Sequence, residues 1–369
     1  MRRRFLVFAG TIQSLLFFGH WFVYETWVRF SGVLPPGEIK LARLSLAILS
    51  VSFVSSSILA FRFNNLFIRV FYTLAATWIG FLNFLALAAA SCWILYALVR
   101  AFHLPVTRPQ IGLVLFGAAI LVSLYGLLNA WAVRTKHISV KLPNLPESWR
   151  GRTAALVTDV HLGHVRARFF MQRVINLLRR NNPDIVFISG DLYDGGNVNP
   201  GEVVSPWKSY SPPFGAYFVT GNHEGFTNPA KYVQAVSGAG IRPLNSGLAL
   251  ADGLQILGVS YSDMRSPESF RAAIQNSGLD PSRASILLLH VPQNMEISEP
   301  AGISLQLSGH THGGQLFPFT WFTRRVFRQY TYGLHPFGNL MVYTSYGAGT
   351  WGPPMRVGTR PEIVLIHFQ

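Results

Sequence analysis

Four apolar runs, at about residues 5–28, 41–61, 70–99 and 110–133, constrain this chain more than any other feature. Each reaches the roughly 20 residues a helix needs to cross a hydrocarbon core. Four in series are hard to hide in a soluble core, so the spacing predicts a transmembrane region of about four helices over residues 1–135. Trp21, Tyr24, Trp27, Trp93 and Tyr96 sit toward the run ends, as an aromatic belt would. The third run is long, and reads either as one tilted helix or as one broken near Gly80. No small-residue cleavage site follows the first run, which argues against a removable signal peptide.

In such a bundle Arg2, Arg3, Arg4, Arg62, Arg69, Arg134, Lys136 and Lys141 fall on one side, and Arg29, Lys40, Arg43, Arg100 and Arg108 on the other. Eight against five is a modest bias that favours both termini in the cytoplasm. The expected setting is multi-pass in a bacterial inner or plasma membrane, with the domain that follows the spans cytoplasmic. A third run holding two spans would put the remaining domain outside instead. Arg2-Arg3-Arg4-Phe5-Leu6 is similar to a twin-arginine export signal, but almost nothing precedes it, which favours a plain anchor. The net charge of +15 is spread along the chain without a long Lys/Arg run, so no nucleic-acid partner is expected. Cys92 is the single cysteine, which excludes an internal disulfide and makes a thiolate metal site implausible.

From residue 136 to 369 the composition is that of a soluble α/β domain. His137–Leu142 alternates like an edge strand that Pro143 ends. Strand patterns then recur at 154–158, 184–189, 216–220, 254–259, 285–289, 303–307, 340–344 and 362–367, with helices expected at 167–180, 229–237 and 267–276.

The strand ends carry the chemistry. Asp159-Val160-His161 follows the first of these buried strands, Gly190-Asp191 the second, and Gly221-Asn222-His223-Glu224 the third. His290 follows Leu289, and Gly309-His310-Thr311-His312 follows Leu307. Loops at strand ends are where α/β folds assemble their sites, and five such motifs suggest one shared centre. If the last strand stayed extended, His310 and His312 would point the same way. Asp, Asn and His suit divalent first-row metals. Asp159, His161, Asp191, Asn222, His290, His310 and His312 are too many donors for one ion, but supply two if a carboxylate bridges.

The order Asp-x-His, Gly-Asp, Gly-Asn-His-Glu, His, Gly-His-x-His resembles the calcineurin-like metallophosphoesterase superfamily, with all five motifs intact. The Gly-Gly-Gln after His312, and the stretch 349–354 followed by Pro361-Glu362-Ile363, are similar to its membrane-associated YaeI/YkuE-like phosphodiesterase branch. The resemblance implies a two-sheet α/β/β/α layered domain over residues 136–369, and two divalent ions, manganese first, with Fe, Zn, Ni or Co as alternatives. It implies one ion on Asp159, His161, Asp191 and His312, and the other on Asp191, Asn222, His290 and His310. His223 would contact phosphate or protonate the leaving group, and Glu224 would orient it. Metal-bound hydroxide would attack a phosphoester or pyrophosphate. The leading substrate is lipid-linked, of the UDP-diacylglucosamine type used in lipid A biosynthesis. A soluble phosphodiester is the alternative, and a membrane sensor or scaffold without turnover the reading from another class.

Other residues carry weaker readings. His164 is a solvated loop histidine or a substrate contact, Tyr193 and Asp194 shape a loop, and Asp263 belongs to a turn. In Phe317–Arg328, aromatics interleave with Arg324, Arg325 and Arg328, which suits a membrane interface or an anionic headgroup as well as an ordinary loop.

Overall fold

A computed structural model describes residues 2–369; the side chains of residues 2–6 and Phe8 are outside that description, and with them the reading of Arg2-Arg3-Arg4. The chain divides into two compact units, residues 1–128 with 352–357, and residues 129–351 with 358–369.

The first unit is built on α1 (Arg2–Phe30), α2 (Pro36–Arg62), α3 (Leu66–Ala101) and α4 (Arg108–Trp131), the last of which runs on into the second unit. Three of these, α2, α3 and α4, are long and apolar enough to cross a membrane among the described residues, rather than the four expected. The described part of α1 carries Gln13, Ser14, His20, Glu25 and Arg29, which dilutes its apolar character. Two of its polar groups meet α3 instead: Trp78 donates to His20 at 2.8 Å and Trp93 to Thr26 at 3.0 Å. Such bonds satisfy polar groups between apolar helices. α3 is continuous over 36 residues, about 54 Å at 1.5 Å per residue, with no break at Gly80. Gly80 serves close approach: a Cβ there would stand 2.5 Å from Met355 Sδ.

The second unit holds twelve strands: β1 (Arg134–Val140), β2 (Thr153–Val157), β3 (Ile185–Ser189), β4 (Ala216–Val219), β5 (Arg242–Pro243), β6 (Gly247–Ala251), β7 (Leu254–Gly258), β8 (Ser285–Leu288), β9 (Leu305–Ser308), β10 (Gly333–Phe337), β11 (Leu340–Thr344) and β12 (Glu362–Phe368). They form two six-stranded sheets, ordered β1-β12-β2-β3-β4-β5 and β10-β11-β9-β8-β7-β6. The core strands read as unbroken apolar runs because both of their faces are covered. In β2, Ala154 and Leu156 pack between the sheets, whereas Ala155 and Val157 join α5 (Arg168–Asn181) and the helix Pro229–Ser237 on the outer face. The second sheet repeats this, with Ile286 and Leu288 inward and Leu287 outward against the helix Pro267–Gln275. The result is four layers, α/β/β/α.

The strands expected from sequence are present within a residue or two at most ends, and β1 is an edge strand. β5, β6 and β10 were not anticipated. The sign for β6 was present: Asp252-Gly253 joins β6 to β7 with both residues at positive φ, 46° and 85°, as a tight hairpin requires.

Candidate metal centre

Parallel neighbours β2, β3 and β4 end together in one sheet, as do β8 and β9 in the other. Two bonds tie these ends across the sheets: Ser189 Oγ donates to Leu307 O at 3.2 Å, and His290 Nδ1 lies 2.8 Å from Ser189 O. The loops leaving these ends carry every sequence-expected site residue.

Their backbone is strained. Asp159 (φ 53°), His161 (φ 52°), Asp191 (φ 48°), His310 (φ 69°) and His312 (φ 46°) are all left-handed. Each such residue costs roughly 1–2 kcal/mol relative to ordinary backbone. β9 therefore does not extend through the His-x-His motif, and the expectation that its histidines share a direction fails. His312 Nε2 lies 3.0 Å from His161 Nε2 and 3.3 Å from Asp159 Oδ1, while His310 Nδ1 lies 3.0 Å from Asn222 Oδ1.

Two neighbouring clusters result. One gathers Asp159, His161 and His312, and the other Asp191, His290 and His310. Asn222 completes the second, its Oδ1 3.1 Å from His290 Nε2. Asp191 stands between them, with Oδ2 3.2 Å from His290 Nε2 and 3.8 Å from His161 Nε2. Lone-pair-bearing oxygens and imidazole nitrogens converge with little room for a side chain: a Cβ on Gly221 would collide with Asp191 Oδ1, and one on Gly309 with Asp159 Oδ2. Buried carboxylates, an amide oxygen and imidazoles aimed at shared points are the donor chemistry of a dinuclear divalent site.

The electrostatics agree. Burial alone would raise Asp159 and Asp191, yet His312 beside the first and His290 beside the second hold both carboxyls below the usual range. Burial would lower His290, but Asp191 outweighs it and pushes the imidazole up to about 10. His310, buried and facing His290, falls to about 4. Negative charge is thus concentrated where the imidazoles converge.

His223 reaches the edge of this centre, with Nε2 3.9 Å from Asp191 Oδ2. Burial and the neighbouring His161 lower its pKa. Its Nδ1 lies 3.0 Å from Asp194 O and 3.8 Å from Asp194 Oδ1. Asp194, read from sequence as a loop former, meets His223 through its main-chain carbonyl, with its carboxylate farther off. It also lies 3.5 Å from His161 Nδ1, and burial raises its carboxyl to about 6. The signal was a second acid three residues after Asp191. Glu224 does something else: its carboxylate accepts from Asp191 N at 3.1 Å, Tyr193 N at 2.9 Å and Gly221 N at 2.7 Å, fastening two strand-end loops together. His164 is buried rather than solvated. Asp263 lies in the one-turn helix Tyr261–Met264 and accepts from Ser260 Oγ at 2.8 Å. Trp351, not anticipated, stands exposed with its ring 5.7 Å from that of His223.

Residues 153–314 match the family described as calcineurin-like phosphoesterase. A transmembrane protein with metallophosphoesterase domain from Danio rerio is 33% identical over 66% of this chain and 60% of its own length. A metallophosphoesterase of Campylobacter jejuni is 31% identical over 63% of each chain, and the metallophosphoesterase YkuE of Bacillus subtilis is 28% identical over 66% of this chain and 87% of its own. The chain spans about three fifths of the length of the first two relatives.

Proposed function

We propose, from the match of residues 153–314 to the calcineurin-like phosphoesterase family, that this protein is a membrane-anchored, metal-dependent phosphohydrolase. The observation that carries the reading is the position of Asp191, whose Oδ2 faces both clusters, 3.2 Å from His290 and 3.8 Å from His161. Asp159, His161, Asp191 and His312 would hold one divalent ion, and Asp191, Asn222, His290 and His310 the second. Manganese is our first choice, with Fe, Zn, Ni or Co as alternatives. When bound, such a pair polarises phosphoryl oxygens and makes water acidic enough to act as a nucleophile at neutral pH.

The chain's own residues supply the rest. Asp194 O beside Nδ1 favours the tautomer with the proton on that nitrogen, which turns His223 Nε2 toward the centre. From there Nε2 would first accept a proton, and His223 in its imidazolium form, protonated on both nitrogens, would donate that proton to the departing oxygen. Glu224 holds the loops of Asp191 and Asn222 at a fixed spacing by its three backbone bonds.

A bilayer-held enzyme is suited to an amphiphilic substrate, so we favour a lipid-linked pyrophosphate of the UDP-diacylglucosamine type, with a soluble phosphodiester as runner-up. We divide the protein into a membrane region, 1–135, and a catalytic region, 136–369. We propose a cytoplasmic catalytic region, which protease accessibility in sealed membrane vesicles would test. The test is hydrolysis by the detergent-solubilised full chain, with defined metals, of bis(p-nitrophenyl) phosphate and of a UDP-linked diacylglucosamine. Asp191→Ala should abolish both; retained hydrolysis would sink the two-metal reading. Turnover of the soluble ester alone would select the runner-up.

A further inference from the structure

Between Glu299 and Glu362 the chain contains no Asp or Glu, while Arg324, Arg325 and Arg328 fall within it. This stretch forms the helix Phe319–Phe327 and a tight turn after it, Arg328–Thr331. The helix buries none of its nine residues. Phe317, Phe319, Trp321, Phe322 and Val326 are each half or more exposed, Val326 by 72%. Five large apolar side chains uncovered on one short segment exceed the scattered exposure of a soluble surface.

The basic groups are equally uncommitted. Arg324, Arg325 and Arg328 pair with no carboxylate among the described residues; Arg325 instead lies over the Trp321 ring at 4.3 Å. Arg324 and Arg328 line a cavity of about 450 Å³ together with Gln329, Thr331, Tyr332, His335 and Tyr346. Its floor is firm, because Tyr332 and Tyr346 stack at 3.8 Å. Glu362, outside the lining, is buried and accepts the Tyr332 hydroxyl at 3.0 Å. The lining itself presents two guanidiniums, an imidazole and hydroxyls and no carboxylate, which is the chemistry that holds a phosphate.

We propose that the helix Phe319–Phe327 docks into the headgroup layer of an anionic phospholipid bilayer, with Arg324 and Arg328 taking one lipid phosphate in this cavity. Two facts commit the occupant. The charge complements an anionic surface, and the same chain carries three helices apolar enough to cross a membrane. Apolar side chains beside arginines are what an interfacial helix needs, aromatic rings among the acyl boundary and cations at the phosphates. The inference rests on the reading of the protein as membrane-anchored, and does not require it to be a hydrolase. The turn stays coupled to the centre, since Thr311 Oγ1 donates to Thr331 O at 2.8 Å and the Phe327 ring lies 6.1 Å from that of His310.

The test uses the full chain with Cys92→Ser, reconstituted in nanodiscs of phosphatidylcholine alone or mixed with phosphatidylglycerol. An environment-sensitive fluorophore is placed at Phe322→Cys, and for comparison at Leu250→Cys, which is exposed elsewhere on the domain. With phospholipids spin-labelled near the headgroup, position 322 should be quenched at least about twofold more than 250. The difference should grow with phosphatidylglycerol and shrink in Arg324→Gln/Arg328→Gln. Equal quenching at the two positions, or quenching indifferent to anionic lipid and to both arginines, overturns the proposal. A protein that hydrolyses no phosphoester yet shows this quenching would remove the proposed function alone; a hydrolase with position 322 unquenched would remove only the docking.

Discussion

His310 and His312 are separated by one residue and serve different clusters, His310 meeting Asn222 at 3.0 Å and His312 meeting Asp159 at 3.3 Å. A left-handed residue at each position turns one imidazole away from the other. His310→Ala and His312→Ala should therefore each bind about one metal ion fewer per chain, and different ones. Asp191→Ala should bind neither ion tightly. Elemental analysis after mild chelation reads this directly, and loss of both ions in each histidine variant would contradict the division.

The position of His223, its Nδ1 held by the main-chain carbonyl of Asp194 and its Nε2 facing the centre, predicts a selective defect in proton donation when the imidazole is removed. His223→Ala should keep its metal content and lose roughly 10- to 100-fold in kcat on alkyl phosphoesters, within the range general acid catalysis supplies. Esters of p-nitrophenol need little protonation on departure and should be affected far less. Equal losses on both classes would assign His223 a role other than proton donor.

Removing Glu224 leaves three buried backbone N–H groups without an acceptor. At about 1–3 kcal/mol for each unmet donor, Glu224→Ala should be among the more destabilising single changes in the domain. A domain this size shifts by about 2–4 °C per kcal/mol, so thermal unfolding should drop by roughly 6 °C or more. Glu224→Gln keeps one acceptor oxygen and should fall between the two. An unchanged midpoint in the alanine variant would mean that the loops do not depend on this carboxylate.

In the metal-free protein Glu224 and Asp194 should lower stability as pH rises, against His310 and His223, whose lowered pKa values raise it as pH climbs toward the ordinary imidazole value. Burial raises Glu224 from 4.5 to about 7 and Asp194 from 3.8 to about 6. A carboxyl with a raised folded pKa keeps its proton longer in the folded state, so stability declines as pH climbs from the unfolded value through the folded one. Asp159 and Asp191 are shifted the other way, so their contribution is present above about pH 4 and lost as pH falls below it. Denaturant midpoints of chelator-treated wild type and Glu224→Gln between pH 3 and pH 8 isolate the Glu224 part: the loss it causes between about pH 4.5 and pH 7 should be missing from the variant, and parallel curves would contradict it.

The layered fold and the strand-end placement of the seven polar residues could be read from the sequence because they are local. A strand covered on both faces is an apolar run, and a strand-end ligand follows within a few residues. What could not be read depends on distant partners. Glu224 appeared to belong with its neighbour His223, but its acceptor oxygens are claimed by N–H groups up to 33 positions away. Asp194 looked like a loop former because its contact with His223 bridges 29 positions. α1 was read as a span like its neighbours, although Trp78 and Trp93 give its polar residues partners within the helical unit. The segment after His312 was legible as amphiphilic, but not as a helix beside a basic cavity.

The five left-handed corners at Asp159, His161, Asp191, His310 and His312 set stability and activity against each other. Glycine adopts that backbone without strain. Replacing His161 by glycine would relax the empty fold while deleting a donor. Any search for tougher variants by heat alone would accept such changes first, and would tend to yield a sturdy protein with no centre. Selection for stability in this scaffold must therefore be run under a requirement for metal retention.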